Sequence, residues 1–200
     1  MATLTALKIE EHLPATFTAP GLSEKEFLEL CAKFPDAMVE YTKDGTVTLM
    51  PPTDFESGKR VKEVVRQLSN WADEDGKGDV SGPDTGFRFR DGSRLAPDAA
   101  WVDARRWGKA KKSAERFPVF APEFVIEVRS PDDRIRALRE KMEDYIANGV
   151  LLGWLIDPMQ RTVTIYRPAQ PPRVLKNPAS VQGEGPVAGF VLKLDRVFTD

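Results

Sequence analysis

One apolar run that is interrupted by a single carboxylate constrains this chain more than any other feature. Residues 124–128, Phe-Val-Ile-Glu-Val, favour a strand, and Pro131 ends the run because proline cannot continue a sheet ladder. Side chains alternate along a strand, so Glu127 shares one face with Val125 and Arg129. Burying that carboxylate is costly unless a metal ion, a lysine or an arginine pairs with it. The alternative is a strand that exposes Glu127 and Arg129 to water.

Composition limits the classes of function. The 200 residues are enough for one domain with a substantial core, and the net charge of −2 gives no global basic field for nucleic acid. Cys31 is the single cysteine and His12 the single histidine, which excludes an internal disulfide and a cysteine-based zinc site and argues against a histidine triad. No apolar run reaches the ~18 residues of a transmembrane helix and no signal peptide is visible, so we expect a cytoplasmic protein.

The N-terminal region predicts an extension followed by a helix. Residues 1–22 show no clear period, and we interpret them as an arm or extension that precedes a single domain over residues 23–200. Ser23 and Glu26 form a capping box, in which each side chain bonds the other's backbone, and this predicts a helix over 24–33.

A β-hairpin follows the first helix. Asp44-Gly45 supplies the positive φ angles of a tight turn between strands 38–41 and 46–50. Glu40 lies on this hairpin, and a solvated strand carboxylate is the favoured interpretation of it.

A second capping box, from Thr53 to Glu56, predicts a longer helix with one apolar face. The opposite side of this helix is basic, and we interpret it as a solvated face. Residues 95–102 predict a later strand in which Pro97 marks the beginning or an edge. Asp98 follows at once, either as a turn-forming aspartate or as a second carboxylate placed for chemistry.

The most basic stretch of the chain connects two predicted strands over residues 103–118. A solvated loop and a phosphate-contacting flap are both open interpretations. The residues that would contact phosphate are Arg105, Arg106, Lys109, Lys111 and Lys112.

A helix predicted to start at Asp132-Asp133 and to end at Gly149 follows the central run. Lys141 falls on the shoulder of its apolar stripe, one turn from Tyr145. It is either an ordinary surface lysine or a lysine whose stem lies along apolar surface and whose ammonium reaches a strand end. Residues 150–156 predict a second apolar strand, paired with 161–166.

The order of these motifs resembles the Uma2 family of restriction-endonuclease-like proteins, within the PD-(D/E)xK nuclease superfamily. The resemblance covers roughly residues 23–195. The motifs that carry it are the hairpin with Met50-Pro51-Pro52, then Pro97-Asp98, Glu127-Val128-Arg129-Ser130-Pro131, Lys141 with Tyr145, and Trp154-Leu155-Ile156-Asp157-Pro158.

The resemblance implies an α/β fold in which a mixed β-sheet core is flanked by α-helices and a divalent-metal site, for Mg²⁺ or Mn²⁺, lies at one sheet edge. Asp98 and Glu127 match the metal-binding carboxylates, and we add the Val128 carbonyl as a third ligand. Arg129 occupies the superfamily's usual lysine position, and Lys141 matches the lysine that Uma2-like sequences supply from the next helix. Glu40, Arg129 and Tyr145 are candidate supporting residues. Ser57 stands where the family often has a histidine.

Three functions remain open. The leading hypothesis is a metal-dependent DNA endonuclease, in which two carboxylates hold the metal and a lysine assists, acting as a homodimer. The second is a nuclease fold that has little or no cleavage activity and binds nucleic acid or a protein partner. The third is an enzyme that acts on another phosphoester with the same site.

Overall fold

The structure is a computed structural model that describes residues 13–113 and 115–199. His12 and the rest of residues 1–12 lie outside the described part of the chain. The helices are α1 Glu24–Lys33, α2 Phe55–Asp75, α3 Ala104–Ala110 and α4 Ile135–Ala147. The strands are β1 Ala15–Thr18, β2 Met38–Tyr41, β3 Thr46–Met50, β4 Gly78–Ser81, β5 Phe87–Arg88, β6 Arg94–Leu95, β7 Ala99–Asp103, β8 Phe124–Val128, β9 Leu152–Asp157, β10 Thr162–Arg167, β11 Gln170–Lys176, β12 Ser180–Gln182 and β13 Val191–Lys193.

A mixed six-stranded sheet in the order β11-β10-β9-β8-β7-β4 forms the centre of the fold. β8 and β9 are parallel and are connected through α4, because parallel neighbours need a crossover connection. The other neighbours in this sheet are antiparallel. A five-stranded sheet, β1-β3-β2-β6-β5, packs with α1.

The two faces of the central sheet bury different helices. Phe124 and Ile126 of β8 share a hydrophobic cluster with α2 and the C-terminal segment. Val125 belongs to a second cluster, with Met142 and Tyr145 of α4. Since Glu127 alternates with Ile126, it faces the side of the sheet that α4 covers.

The mixed α/β fold class predicted from the sequence is confirmed. The first helix and both hairpin strands lie where capping and turn signals predicted them, and Gly45 adopts a φ of 88° in the turn. The predicted pairing of the strand after α4 with its successor is also confirmed, as β9 and β10.

Two predicted helix starts are corrected. Asp54, not Thr53, caps α2, because its carboxylate accepts hydrogen bonds from the backbone N–H groups of Glu56 and Ser57. α4 begins at Ile135, after Arg134, rather than at Asp132-Asp133. The Asp133 carboxylate instead accepts bonds from the backbone and hydroxyl of Ser130.

Three segments contain regular structure that was not predicted from the sequence. The basic connection includes α3, whose N-terminus is capped by Asp103. The proline-rich stretch 168–178 contains the strand β11, which tolerates prolines because it lies at the edge of the sheet. Within the predicted N-terminal arm, β1 pairs with β3.

The strand predicted over 95–102 is divided into β6 and β7. Ala96, Pro97 and Asp98 lie between the two strands, which belong to different sheets. Asp98 therefore sits where the chain passes from one sheet to the other. In the described part of the chain, no helix is long and apolar enough to cross a membrane.

Candidate metal and catalytic site

The candidate site lies at one end of two neighbouring strands of the central sheet, where β7 begins and β8 ends. Asp98 precedes the first residue of β7, and Glu127 is the penultimate residue of β8. The antiparallel register pairs Ala99 with Ile126, which brings the two carboxylate residues to the same end of adjacent strands.

Pro97 interrupts the hydrogen-bond ladder between β7 and β8 at this end. Continuing the register would place Pro97 opposite Val128. The Arg129 N–H donates to the Ile156 carbonyl oxygen of β9. Because the backbone groups of successive strand residues point to opposite sides, the N–H and carbonyl of Val128 point towards β7. Proline has no N–H, and the Val128 carbonyl therefore lacks a ladder donor there. The Val128 N–H donates instead to Asp98 Oδ2, at 2.7 Å.

The Lys141 ammonium connects three parts of the fold. Nζ lies 2.9 Å from Glu127 Oε1 on β8, 2.8 Å from Glu40 Oε1 on β2, and 3.1 Å from the Ala96 carbonyl oxygen. An ammonium has three N–H donors, so each has an acceptor in this arrangement. The Lys141 ammonium therefore reaches the end of β8, as one of the two interpretations of this lysine predicted.

Glu40 is buried, at 7% exposure, and its favoured interpretation as a solvated carboxylate is wrong. Its Oε1 accepts a second hydrogen bond from the Ala96 N–H, at 2.8 Å. The contact of Glu40 with Lys141 is long-range and carries no local sequence signal. Glu40 thereby holds both the lysine and the segment that leads to Asp98.

Glu127 is 4% exposed, and its Oε1 accepts a hydrogen bond from the Tyr145 hydroxyl at 2.9 Å as well as from Lys141. These two donors partly compensate the cost of burying the carboxylate. Asp98 is half-buried, so the pair of carboxylates has one buried and one more accessible member.

Burial dominates the electrostatics of the site. It raises the pKa of Glu127 to about 8, against the opposing effect of Lys141 and with help from the negative charges of Asp98 and Glu40. It also raises the pKa of Asp98 to about 6, although the Val128 hydrogen bond opposes the rise.

The two donors to Glu127 both keep their protons at neutral pH. Burial acts to lower the pKa of Lys141, but the neighbouring charges of Glu127 and Glu40 outweigh it and leave that pKa raised. Burial, together with the negative charge of Glu127, raises the pKa of Tyr145 well above its usual value. Lys141 therefore stays charged, and Tyr145 stays a hydrogen-bond donor.

The oxygen atoms that remain fit a hard divalent cation. Among residues 13–113 and 115–199, no group of three or more His, Cys, Asp or Glu side chains is placed to hold a metal ion. Asp98 Oδ1 and Glu127 Oε2 accept no hydrogen bond from any residue in those ranges. With the Val128 carbonyl they supply three oxygen donors of the kind that Mg²⁺ and Mn²⁺ prefer, with waters completing the shell.

Arg129 does not contact Glu127. Its guanidinium pairs with the buried Asp157 carboxylate at 2.8 Å and donates to the Asp133 carbonyl at 3.3 Å. Although Arg129 was predicted to share a strand face with Glu127, the structure gives it a partner at the end of β9. Ser57 is buried on α2, and its hydroxyl has no hydrogen-bond partner within the described ranges.

The basic stretch lies at the opposite end of β7 from Asp98. α3 starts after Asp103, and at ~3.3 Å per residue the strand separates Asp98 from Asp103 by about 17 Å. Arg106 forms an ion pair with the buried Glu123, so its charge is already paired within the fold. The other four side chains are exposed and form no ion pair with a described residue: Arg105, Lys109, Lys111 and Lys112.

The mixed sheet with flanking helices defines an α/β protein with a restriction-endonuclease-like core. The chain belongs to the Uma2 family, whose model, described as "Putative restriction endonuclease", matches residues 24–195. A solved structure described as "a putative nuclease belonging to DUF820 from Anabaena variabilis ATCC 29413" has a similar fold, with a TM-score of 0.73 and 22% sequence identity. That similarity covers 88% of this chain and 97% of the other. No protein with a curated description matches the chain.

Proposed function

We propose that this chain is a metal-dependent endonuclease that hydrolyses DNA phosphodiester bonds. The observation that carries the proposal is the pairing of Asp98 and Glu127 at one sheet edge, with Lys141 hydrogen-bonded to Glu127. Membership of the Uma2 family supports a nuclease-like activity, and restriction-endonuclease-like proteins generally use divalent metals. DNA as the substrate, the metal and the role of the lysine belong to the proposal.

Asp98, Glu127 and the Val128 carbonyl would hold Mg²⁺ or Mn²⁺. A cation held there would neutralise charge that develops on the phosphate and lower the pKa of a bound water. The protein's own contribution is to fix the ligands: Val128 N–H orients Asp98, while Lys141 and Tyr145 orient Glu127. Oriented ligands are worth more than mobile ones because no reorganisation is needed during the reaction.

Lys141 is the candidate catalytic cation, and its three hydrogen bonds are unequal. Two go to carboxylates, and the third and longest goes to the neutral Ala96 carbonyl, at 3.1 Å. Bonds to a charged acceptor are the stronger ones, so the Ala96 bond is the one that the ammonium would exchange for a phosphate oxygen or an attacking water. In the hydrolysis, a water oxygen bonds phosphorus, the ester P–O bond breaks, and the leaving oxygen takes up a proton.

The four free cations of the basic stretch would contact DNA phosphates at a distance from the scissile bond. The separation of about 17 Å corresponds to roughly five base pairs at 3.4 Å per pair, so one duplex can reach both. Changing Arg105, Lys109, Lys111 and Lys112 to Gln should weaken DNA binding and flatten its salt dependence, since each lost contact releases fewer counterions.

Nicking of supercoiled plasmid by purified protein tests the proposal. Wild-type protein should nick the plasmid with Mg²⁺ or Mn²⁺ and not with EDTA, while Asp98→Asn and Glu127→Gln should be inactive. Asp84→Asn, at an exposed position in a loop, is the matched control and should retain activity. Nicking by Asp98→Asn at the wild-type rate would reject the assignment.

A second candidate is a nuclease-fold module that binds nucleic acid or a protein and cleaves slowly or not at all. The observation that favours it is that both cations nearest the site are engaged: Lys141 has three acceptors, and Arg129 pairs with Asp157. Metal-independent DNA binding with no cleavage under any of the metal conditions above would select this module over the endonuclease.

A further inference from the structure

Phe55 is the most exposed large hydrophobic side chain in the described part of the chain. Its exposure is 81%, compared with 52% for the next, Val174. It is also rigidly presented, because it is the first residue of α2 and the Asp54 carboxylate caps that helix, 2.9 Å from the N–H of Glu56 and 3.0 Å from that of Ser57. An aromatic ring fixed in water in this way forgoes the burial that would stabilise the fold.

The direction of α2 places Phe55 at the end of the sheet that carries the candidate site. α2 ends at Asp75, and β4 then pairs Gly78 with Asp103, at the far end of β7 from Asp98. The 21 residues of α2 span ~31 Å at 1.5 Å per residue, whereas the five residues of β7 span only ~17 Å. α2 packs along β7 and β8 on the face opposite α4, and its greater length carries its first turn past the Asp98 end of the sheet.

Cations accompany the ring on the same side of the helix. Lys59 and Lys62 follow Phe55 at four and seven residues, which places them within ~40° of it around the helix axis, opposite the buried Val64. Lys59 pairs with Glu56 at 2.6 Å, but both side chains are more than 40% exposed, so this pair is open to exchange. Lys62 is exposed and forms no ion pair with a described residue.

We propose that Phe55 stacks on a nucleobase of the DNA held at the carboxylate site, with Lys59 and Lys62 on neighbouring phosphates. The inference rests on the proposed nuclease function and adds a residue that binds the DNA outside the carboxylate site. Asp54 and Glu56 flank the ring in the chain, and the two lysines lie one and two turns further along the same side of the helix. An exposed ring followed by cations is the composition of a base-stacking surface, because every base offers a π-face and the backbone is negative. The core of a protein–protein interface is instead depleted of charge, and charged residues surround Phe55.

The experiment compares Phe55→Ala with Phe55→Trp, which keeps a stacking face, in the non-cleaving Asp98→Asn background. Val174→Ala is the control, since Val174 is 52% exposed and lies on β11, at the far edge of the central sheet from β7 and α2. The probe is a short duplex with a frayed end that carries 2-aminopurine, read by fluorescence anisotropy for affinity and by base fluorescence for stacking.

Phe55→Ala should bind the duplex about 5- to 150-fold more weakly, the range for one lost stack, and should abolish the change in 2-aminopurine fluorescence. Phe55→Trp and Val174→Ala should stay within about twofold of the parent. Equal affinity of the Phe55→Ala protein and its parent would overturn the stacking proposal alone. A parent protein that binds no DNA would overturn the stacking proposal together with the DNA-directed function.

Discussion

Replacement of Lys141 by methionine should destabilise the fold as well as impair cleavage. Methionine keeps the length and the apolar stem of the side chain but removes the charge that faces Glu127 and Glu40. Lys141 is 15% exposed, and the two carboxylate side chains are 5% and 9% exposed, so solvent screens these pairs only weakly.

The expected magnitude follows from the cost of leaving a buried charge unpaired. Removing one partner of a buried ion pair typically costs ~3–5 kcal/mol. For a chain of this size, that corresponds to a fall of about 6–20 °C in the midpoint of thermal unfolding. The defect should be larger at about pH 8 than at about pH 5, because burial raises the pKa of Glu127 and at the lower pH its carboxyl group is protonated and needs no cation.

Urea unfolding of wild type and Lys141→Met at both pH values measures the effect. Lys111→Met is the matched control, since Lys111 is exposed and forms no ion pair with a described residue. It should change the free energy of unfolding by less than about 0.5 kcal/mol. A Lys141→Met protein as stable as the Lys111→Met protein, or one whose defect does not change with pH, would refute the reasoning.

The remaining predictions concern protons, the basic stretch and assembly. Burial raises the pKa of Asp98 from 3.8 to about 6 and that of Glu127 from 4.5 to about 8. The metal-free folded state therefore binds protons that the unfolded state does not, and its free energy of unfolding should fall as pH rises from about 4 to about 8. Mn²⁺ needs the ionised carboxylates and should therefore raise the unfolding midpoint more at about pH 8 than at about pH 5; an equal rise would contradict this. Arg106→Ala should destabilise the protein in thermal unfolding, because it leaves the buried Glu123 unpaired, whereas Arg105→Ala should not; equal midpoints for the two variants would count against that role. We also predict a homodimer, and light scattering that gives the mass of one chain at high protein concentration would rule it out.

Local signals made several elements predictable from the sequence. The capping box at Ser23 and the Asp44-Gly45 turn each act within a few residues, and the elements they predict have the observed bounds. Their energies do not depend on distant parts of the chain, so the sequence alone was sufficient for them.

The site was only partly predictable because its decisive contacts are long-range. Asp98 and Glu127 stand out as carboxylates in apolar sequence, and Lys141 as a lysine beside an apolar stripe. Glu40 looks like any strand carboxylate, since its burial depends on Lys141, which lies 101 residues further along the chain. The partner of Arg129 likewise became visible only when β8 and β9 were placed side by side.

The edge strand β11 and the short helix α3 were not predicted from the sequence, for a different reason. The prolines at 171 and 172 argue against a strand in the middle of a sheet but not at its edge, and the position of β11 in the sheet cannot be read from its own residues. α3 has seven residues and no fully buried side chain, so it lacks the apolar period that predicts a helix.

An anomalous difference map from a crystal soaked in Mn²⁺ would locate the metal among the oxygen atoms proposed to bind it. We expect one strong peak where β7 begins and β8 ends, in contact with carboxylate oxygens of Asp98 and Glu127 and with the Val128 carbonyl oxygen that Pro97 leaves without a ladder donor. A saturating soak that gives no peak there, or a peak bound by other residues while this site stays empty, would contradict the account.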